Sequence, residues 1–270
     1  MAGAARGQLR ALTTSSRPFY TEFAWAFDLL IDRPVHKECA AIATWLVARG
    51  VVPGSTLLDA GCGTGRYALE LSRRGYRVRG IDASADLIDE ARRMAGSRSP
   101  QVSFEVGDIL QLSRSSDDAV LCRGVLNDVL EDDARQSAFA TFARVLREGG
   151  VLILDVREWE ATAARKDREP LFRKRVETDR GRLTFTSLTD LDPPTRRLLI
   201  KETHTLEGGG LERSWDYEFV MRCWTPIELH SLLRLNGFDS IAYFGAYDPA
   251  VAQGATDRLV AVARHSGGRH

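Results

Sequence analysis

Three glycines fall within five positions in "LLDAGCGTGRY", at Gly61, Gly63 and Gly65, directly behind an apolar run and directly ahead of a helical pattern. "TLLDA" has the composition of a short buried strand and "GRYALELSRRG" that of an amphipathic helix, so the glycines occupy the turn at the carboxyl end of a strand. Open α/β sheets bind ligands at that edge, and glycine there lets the backbone come close to one. A dinucleotide fingerprint GxGxxG needs glycine at position 66, which is Arg66, so a nicotinamide-dependent oxidoreductase loses its pattern.

The rhythm around this turn sets the architecture. Helical patterns cover 19–32 and 35–49, followed by strand 55–60, helix 65–74, strand 76–81, helix 84–95, strands 102–106 and 118–123, helix 131–146 and strand 150–156. Such alternation predicts a doubly wound, mostly parallel α/β sheet. From about 170 to 224 the style changes to long segments separated by "DPPT" and "EGGG", which predict an antiparallel three-stranded meander. Thr225 as N-cap, with Pro226 in the first turn and Glu228 three residues on, opens a helix near 225–236, ahead of strands near 238–245 and 257–264. The expected organisation is a flexible stretch 1–18, an α/β domain over 19–165 and 225–264, an antiparallel β insert over 170–224 acting as a lid, and a flexible tail 265–270.

Charge and cysteine usage exclude several function classes. The 37 basic and 37 acidic residues leave no net field for nucleic acid. Cys39, Cys62, Cys122 and Cys223 are scattered with no CxxC pair, which points to a reducing cytoplasm and away from a zinc or disulfide framework. No stretch of about 18 apolar residues suggests a membrane span, and no signal-peptide pattern is present. The expected partner is a small molecule, with the chain a monomer or a homodimer.

Two further strand ends carry acids. "YRVRGID" ends in Asp82, about 20 residues past the glycines, where a carboxylate can accept both hydroxyls of a ribose. "VSFEVGDILQL" places Asp108 and Ile109 at the next strand end, a carboxylate for an exocyclic amine beside an apolar side chain for a ring face.

With "LLDAGCGTGRY", "VRGIDAS", "FEVGDIL" and "FARVLREGGVLILDVR", the chain resembles the class I S-adenosylmethionine-dependent methyltransferases from about residue 19 to 264. The resemblance implies a Rossmann-like seven-stranded sheet whose last strand inserts antiparallel. It also implies S-adenosyl-L-methionine as cofactor and S-adenosyl-L-homocysteine as product. Gly61 and Gly63 would cradle the methionine part, Asp82 the ribose, and Asp108 with Ile109 the adenine, while Asp59 shapes the loop and Ala60, Ala83 and Arg123 complete the set. "LCRGVLNDV" and "RVLREGGVLILDVREWE" look like the small-molecule branch around glycine and sarcosine N-methyltransferases and sugar-amine N-methyltransferases of antibiotic pathways. That branch often has Asn two residues after "RG", whereas here Val125 and Leu126 precede Asn127. It also places an arginine on the cofactor carboxylate before the helix preceding the first strand, and Arg33 in "LIDRPVHKE" matches.

Methyl transfer from a sulfonium depends mainly on holding the reacting atoms in line, so a strong acid–base constellation is not required. If a proton must be taken from an amine or hydroxyl acceptor, the candidates are Glu158, Asp128 and His36, with Asp128 also placed to cap the helix that follows. Tyr20, Trp25, Asn127, Arg157, Trp159, Trp215 and Tyr217 are the expected substrate wall, with Phe19, Phe27 and Phe219 as further aromatics near it. No metal is expected, because Asp155 is followed by Val156 where magnesium-dependent relatives need an Asp-Asn pair. The reading is methyl transfer to nitrogen or oxygen of a small molecule in specialised-metabolite biosynthesis. The alternative is the same fold repurposed as a cyclase or regulatory module.

Overall fold

The computed structural model describes residues 17–96 and 101–267. Most of the two ends expected to be flexible lies outside these residues. Arg17 and Pro18 are described and buried, and His265 closes the last strand.

Strands β1 (Thr56–Ala60), β2 (Arg77–Asp82), β3 (Val102–Val106), β4 (Asp117–Arg123) and β5 (Leu146–Arg157) run parallel. The insert supplies β6 (Leu171–Thr178), β7 (Gly181–Asp192), β8 (Arg197–Gly208) and β9 (Leu211–Arg222). Then β10 (Phe238–Phe244) and β11 (Arg258–His265) complete a seven-stranded sheet ordered β10-β11-β5-β4-β1-β2-β3 among the described residues. β11 is antiparallel to both of its neighbours. The sheet is the doubly wound form with an inverted last strand that the resemblance implies.

Helices α1 (Phe27–Leu30), α2 (Val35–Val47), α3 (Arg66–Arg73) and α4 (Ala85–Ala95) precede α5 (Asp132–Val145), α6 (Trp159–Arg168) and α7 (Pro226–Leu235). Ile42 and Trp45 of α2, Ala68 of α3 and Ile88 of α4 pack with Leu57 and Ile153 on one face of the sheet. Phe139 and Phe142 of α5 and Leu229 of α7 pack with Leu58 and Leu154 on the other. Central strands buried on both faces explain why "VLILDV" is a continuous apolar run rather than an alternation. No helix among the described residues is long and apolar enough to cross a membrane.

Three expectations are corrected. The helix expected over 19–32 is two 3₁₀ turns, Pro18–Tyr20 and Ala24–Ala26, followed by the short α1. Phe19 and Phe23 do recur at helical spacing, but they are drawn onto the insert, Phe19 stacking on Phe185 at 5.1 Å and Phe23 on His204 at 4.5 Å. Tertiary packing overrides the local period there. The insert has four strands rather than three, because "LFRKRVET" pairs with β7 across the two residues between Thr178 and Gly181. As an edge strand it is largely exposed and charged, so it shows no apolar alternation to read. Helix α6 was not anticipated at all; Glu158 caps it, accepting from the backbone N–H of Glu160 and Ala161 at 3.0 and 2.7 Å.

The insert leaves and rejoins the sheet at one neck. Trp224 N–H donates to the Arg157 carbonyl and Trp159 N–H to the Trp224 carbonyl, both at 2.9 Å. Behind the neck, the fully buried Arg135 of α5 lies over the Trp224 ring at 3.9 Å and donates to the carbonyls of Val129 and Arg222 and to Glu228. Arg135→Met removes those donors and leaves buried acceptors and a carboxylate behind. It is expected to lower stability by about 3 kcal/mol, measured by urea unfolding.

Candidate functional site

A cleft of about 610 Å³ opens at the carboxyl edge of the parallel strands, beneath the N-terminal segment. Its floor is the glycine turn between β1 and α3. Gly61 and Gly63 both line the cleft and have φ of +77° and +55°. A Cβ on Gly61 would lie 2.1 Å from Val125 Cγ2, whereas one on Gly63 meets nothing within 4 Å. The first glycine allows two loops to approach, and the second keeps the cleft open.

Asp82, at the end of β2, ties this turn to the next loop. Its Oδ2 accepts from Gly63 N–H and its Oδ1 from Ser84 N–H, each at 2.9 Å. The carboxylate is thereby fixed at the cleft wall beside Ala83, with lone pairs left for a ligand. Asp108 and Ile109 line the same cleft one strand further on. Asp108 is partly committed to its own loop, accepting from Leu110 N–H at 2.8 Å and Gln111 Nε2 at 3.0 Å. Arg33 also lines the cleft, and among the described residues no hydrogen bond or ion pair satisfies its side chain.

The open glycine, the fixed carboxylate, the apolar Ile109 and the unpaired Arg33 form a donor and acceptor set that fits an adenosyl group carrying an amino-acid tail. Asp82→Ala removes a ribose acceptor and loosens the turn. It is expected to raise the Kd for S-adenosylmethionine by on the order of ten- to thirty-fold, measured by titration calorimetry.

Beneath the Arg33 end, Arg123 lines the cleft with its guanidinium 3.3 Å from the Tyr67 ring centroid and 2.9 Å from a Glu38 oxygen. Asp155 accepts from the Tyr247 hydroxyl at 2.8 Å and pairs with Arg258 at 3.4 Å. Asp59 is buried in β1 under the turn, with Oδ2 unpartnered. Burial pushes its carboxyl up to about 7; Arg123 and the Ala68 amide pull against that rise and Asp82 adds to it. Asp59 and Ala60 therefore support the glycine turn from below and do not face the cleft.

The cleft wall also includes Tyr20, Asn127, Asp128 and Arg157. Asn127 Oδ1 accepts from Arg157 N–H at 2.9 Å, which locks β4's loop to the end of β5. Arg157 pairs with Asp257 at 3.0 Å. Asp128 does not cap α5, since that position belongs to Glu131. It lies in the cleft wall instead, half-buried, with Oδ1 shielded from solvent and bonded to nothing. Burial pushes its carboxyl up to about 7; Arg17 and Arg157 pull it down, and Glu202 and Asp82 push it further up.

Several candidates lie away from this cleft. Glu158 is spent on capping α6, and His36 is on the outer face of α2 with its side chain 86% exposed, paired with Glu70. Trp159 is buried against Leu198 and Phe219 at the foot of the insert, with Tyr217 packed against the same cluster. Trp25 and Trp215 pack around the contact between insert and N-terminal segment, Trp215 meeting Phe23 edge-on at 5.0 Å. These aromatics join the insert to the domain. Large apolar side chains at strand spacing carry no mark that distinguishes such packing from a substrate wall.

The cleft also holds residues not anticipated from sequence: Arg17, Met221, Asp155, Asp257 and Arg258. Asp155 ends a parallel strand and could have been found by the rule that pointed to Asp82. Asp257 and Arg258 follow from the inverted last strand, because an antiparallel strand begins at the edge where its parallel neighbours end.

Residues 57–150 match the family model described as a methyltransferase domain. Curated relatives include a putative methyltransferase of Geobacillus sp. (strain WCH70), 28% identical over 140 residues, 51% of this chain and 57% of that protein. A ubiquinone biosynthesis O-methyltransferase of Xanthomonas campestris pv. campestris is 32% identical over 126 residues, 46% of this chain and 52% of that one. An S-adenosyl-L-methionine-dependent Diels-Alderase of Talaromyces variabilis is 30% identical over 138 residues, 49% of this chain and 45% of that one. The chain spans about half the length of the curated relatives it matches. Among solved structures, an S-adenosylmethionine-dependent methyltransferase from Clostridium acetobutylicum superposes with a TM-score of 0.77 at 19% identity, covering 92% of this chain and 99% of that one. CalS10, an amino pentose methyltransferase of Micromonospora echinaspora solved with S-adenosylmethionine bound, gives 0.68 at 20% identity, covering 90% and 96%. At those identities the structural likeness establishes the fold.

Proposed function

We propose that this chain, which carries a methyltransferase domain over residues 57–150 on the class I methyltransferase fold, methylates a nitrogen or oxygen of a small-molecule acceptor at the expense of S-adenosylmethionine. The observation that carries the reading is convergence. The glycine turn, Asp82, and Asp108 with Ile109 come from three separate strand ends and line one cleft.

S-adenosylmethionine supplies a methyl group already activated on a sulfonium. The chain's own part is to bind, to align and to exclude water. Gly61 and Gly63 leave room for the methionine portion, Asp82 holds the ribose, Ile109 offers an apolar wall to the adenine, and Arg33 meets the terminal carboxylate. Tyr20 and Met221 cover the acceptor end. Asp128 accepts the acceptor's proton at Oδ1. A carboxyl titrating near 7 matches an ammonium far better than an aliphatic alcohol, so an amine is the favoured acceptor. The structural likeness to an amino pentose methyltransferase supports an amine of a specialised metabolite. Four free, buried cysteines support a reducing compartment as the place of work.

The first test is thermal shift with S-adenosylmethionine, S-adenosylhomocysteine and NAD, followed by measurement of S-adenosylhomocysteine formed with a panel of amine and hydroxyl acceptors. Stabilisation by NAD alone would falsify the reading. The similarity to a Diels-Alderase favours a second reading, a cofactor-binding cyclase. It requires strong cofactor binding with no S-adenosylhomocysteine from any acceptor.

A further inference from the structure

We propose that the buried Arg17–Glu202 pair is a positioning device for Asp128, with Arg17 the cation that favours its carboxylate and Glu202 the anion that offsets it. This rests on Asp128 being the proton acceptor of the proposed reaction.

The pair joins two parts of the chain that have no other reason to share charges. Arg17 precedes the first 3₁₀ turn, and Glu202 projects from the inner face of β8. Their side chains are only 7% and 3% exposed. Arg17 Nε donates to Glu202 Oε2 at 2.7 Å and Nη2 donates to Oε1, the parallel fork that fixes a guanidinium in plane. The third nitrogen, Nη1, donates to the Tyr20 hydroxyl at 2.8 Å, and the Phe219 ring lies 4.1 Å from the guanidinium carbon. Arg17 is thus held from every side, and it lines the same cleft wall as Asp128.

A salt link used only for stability would be a poor choice at this place, because burying both ions forfeits most of what their attraction returns. Its position gives it another use. Asp128 Oδ1 has no hydrogen-bond donor among the described residues, so burial raises its carboxyl and the charges around it act on it through space. Those are Arg17 and the phenol of Tyr20 on the N-terminal segment, Arg157 at the end of β5, Glu202 on β8 and Asp82 at the end of β2. Arg17 is the largest of the influences that favour the charged form. It comes from the segment that roofs the cleft, which is docked on the insert through Glu202.

The test is to titrate Asp128 directly, by the carboxyl carbon resonance of ¹³C-aspartate-labelled whole protein, with the signal assigned by its loss in Asp128→Asn. The expected midpoints follow the order Arg17→Gln highest, then wild type and the double variant Arg17→Gln/Glu202→Gln close together, then Glu202→Gln lowest. Each single variant should move by roughly one pH unit in its own direction. A purely structural pair would move both singles the same way or neither, and either result overturns the proposal. Should Arg17→Gln fail to fold, the double variant must still titrate above Glu202→Gln, and the reverse order overturns it. Methyl transfer surviving in Asp128→Asn would remove Asp128 from the chemistry while leaving the order of midpoints intact, so the two failures are distinguishable.

Discussion

Valine at Gly63 is expected to abolish cofactor binding in a protein that still folds, raising the Kd for S-adenosylmethionine by more than about 100-fold, or about 2.7 kcal/mol. A Cβ built on Gly63 meets no atom within 4 Å outside its chain neighbours, so the branch point of the added side chain fits the fold. It enters the cleft, where two methyl groups take the space left for the methionine portion. The φ of +55° adds backbone strain for a β-branched residue, on the order of 1–2 kcal/mol, which should appear as a modest fall in Tm. Gly61 is the control with the opposite logic. Its Cβ would strike Val125, so Gly61→Val should damage the fold and the site together. Circular dichroism and equilibrium dialysis on both variants separate the cases, and a Gly63→Val protein that binds normally would take the turn out of the site.

Asp128→Asn is expected to lower acceptor-dependent formation of S-adenosylhomocysteine by roughly 10²- to 10⁴-fold while leaving cofactor affinity nearly unchanged. The amide keeps the size of the carboxyl but takes up no proton. The pH profile carries the sign. With a carboxyl held up to about 7 by burial, wild-type turnover should rise as pH passes from 6 to 8 and Oδ1 becomes ionised, and the residual turnover of the variant should lack that rise. Loss of cofactor affinity in parallel with turnover would mean that Asp128 only holds the cleft together.

Sequence made the cofactor half of the cleft readable because each of its parts is a strand-end event. A glycine with positive φ, an acid closing β2 and an acid two residues past β3 sit at fixed offsets from apolar runs. The rest of the cleft is built otherwise. Arg17 reaches the cleft by pairing with a residue 185 positions away, and Glu158 looks like a base until the helix it caps is seen. His36 and Trp215 lie outside the cleft lining, one facing solvent on α2 and the other packed on Phe23. Periodicity reports which face of an element is apolar, and it does not report what covers that face. That is why four substrate-wall candidates, Trp25, Trp159, Trp215 and Tyr217, pack in hydrophobic clusters, while the wall's own Met221 passed unnoticed.

The single neck of the insert bears on how such a chain changes over generations. The chain enters the insert at Glu158 and returns at Trp224, and these two residues pair as a parallel bridge, so both crossings share one doorway in the sheet. A change of length within that stretch need not alter the strand order or the glycine turn, provided the doorway still closes and the N-terminal segment keeps its packing on β7 and β8. The glycine turn and the insert can therefore be inherited at different rates. A duplicated copy could acquire a new acceptor by recombination at two adjacent points, with the older half carried over whole.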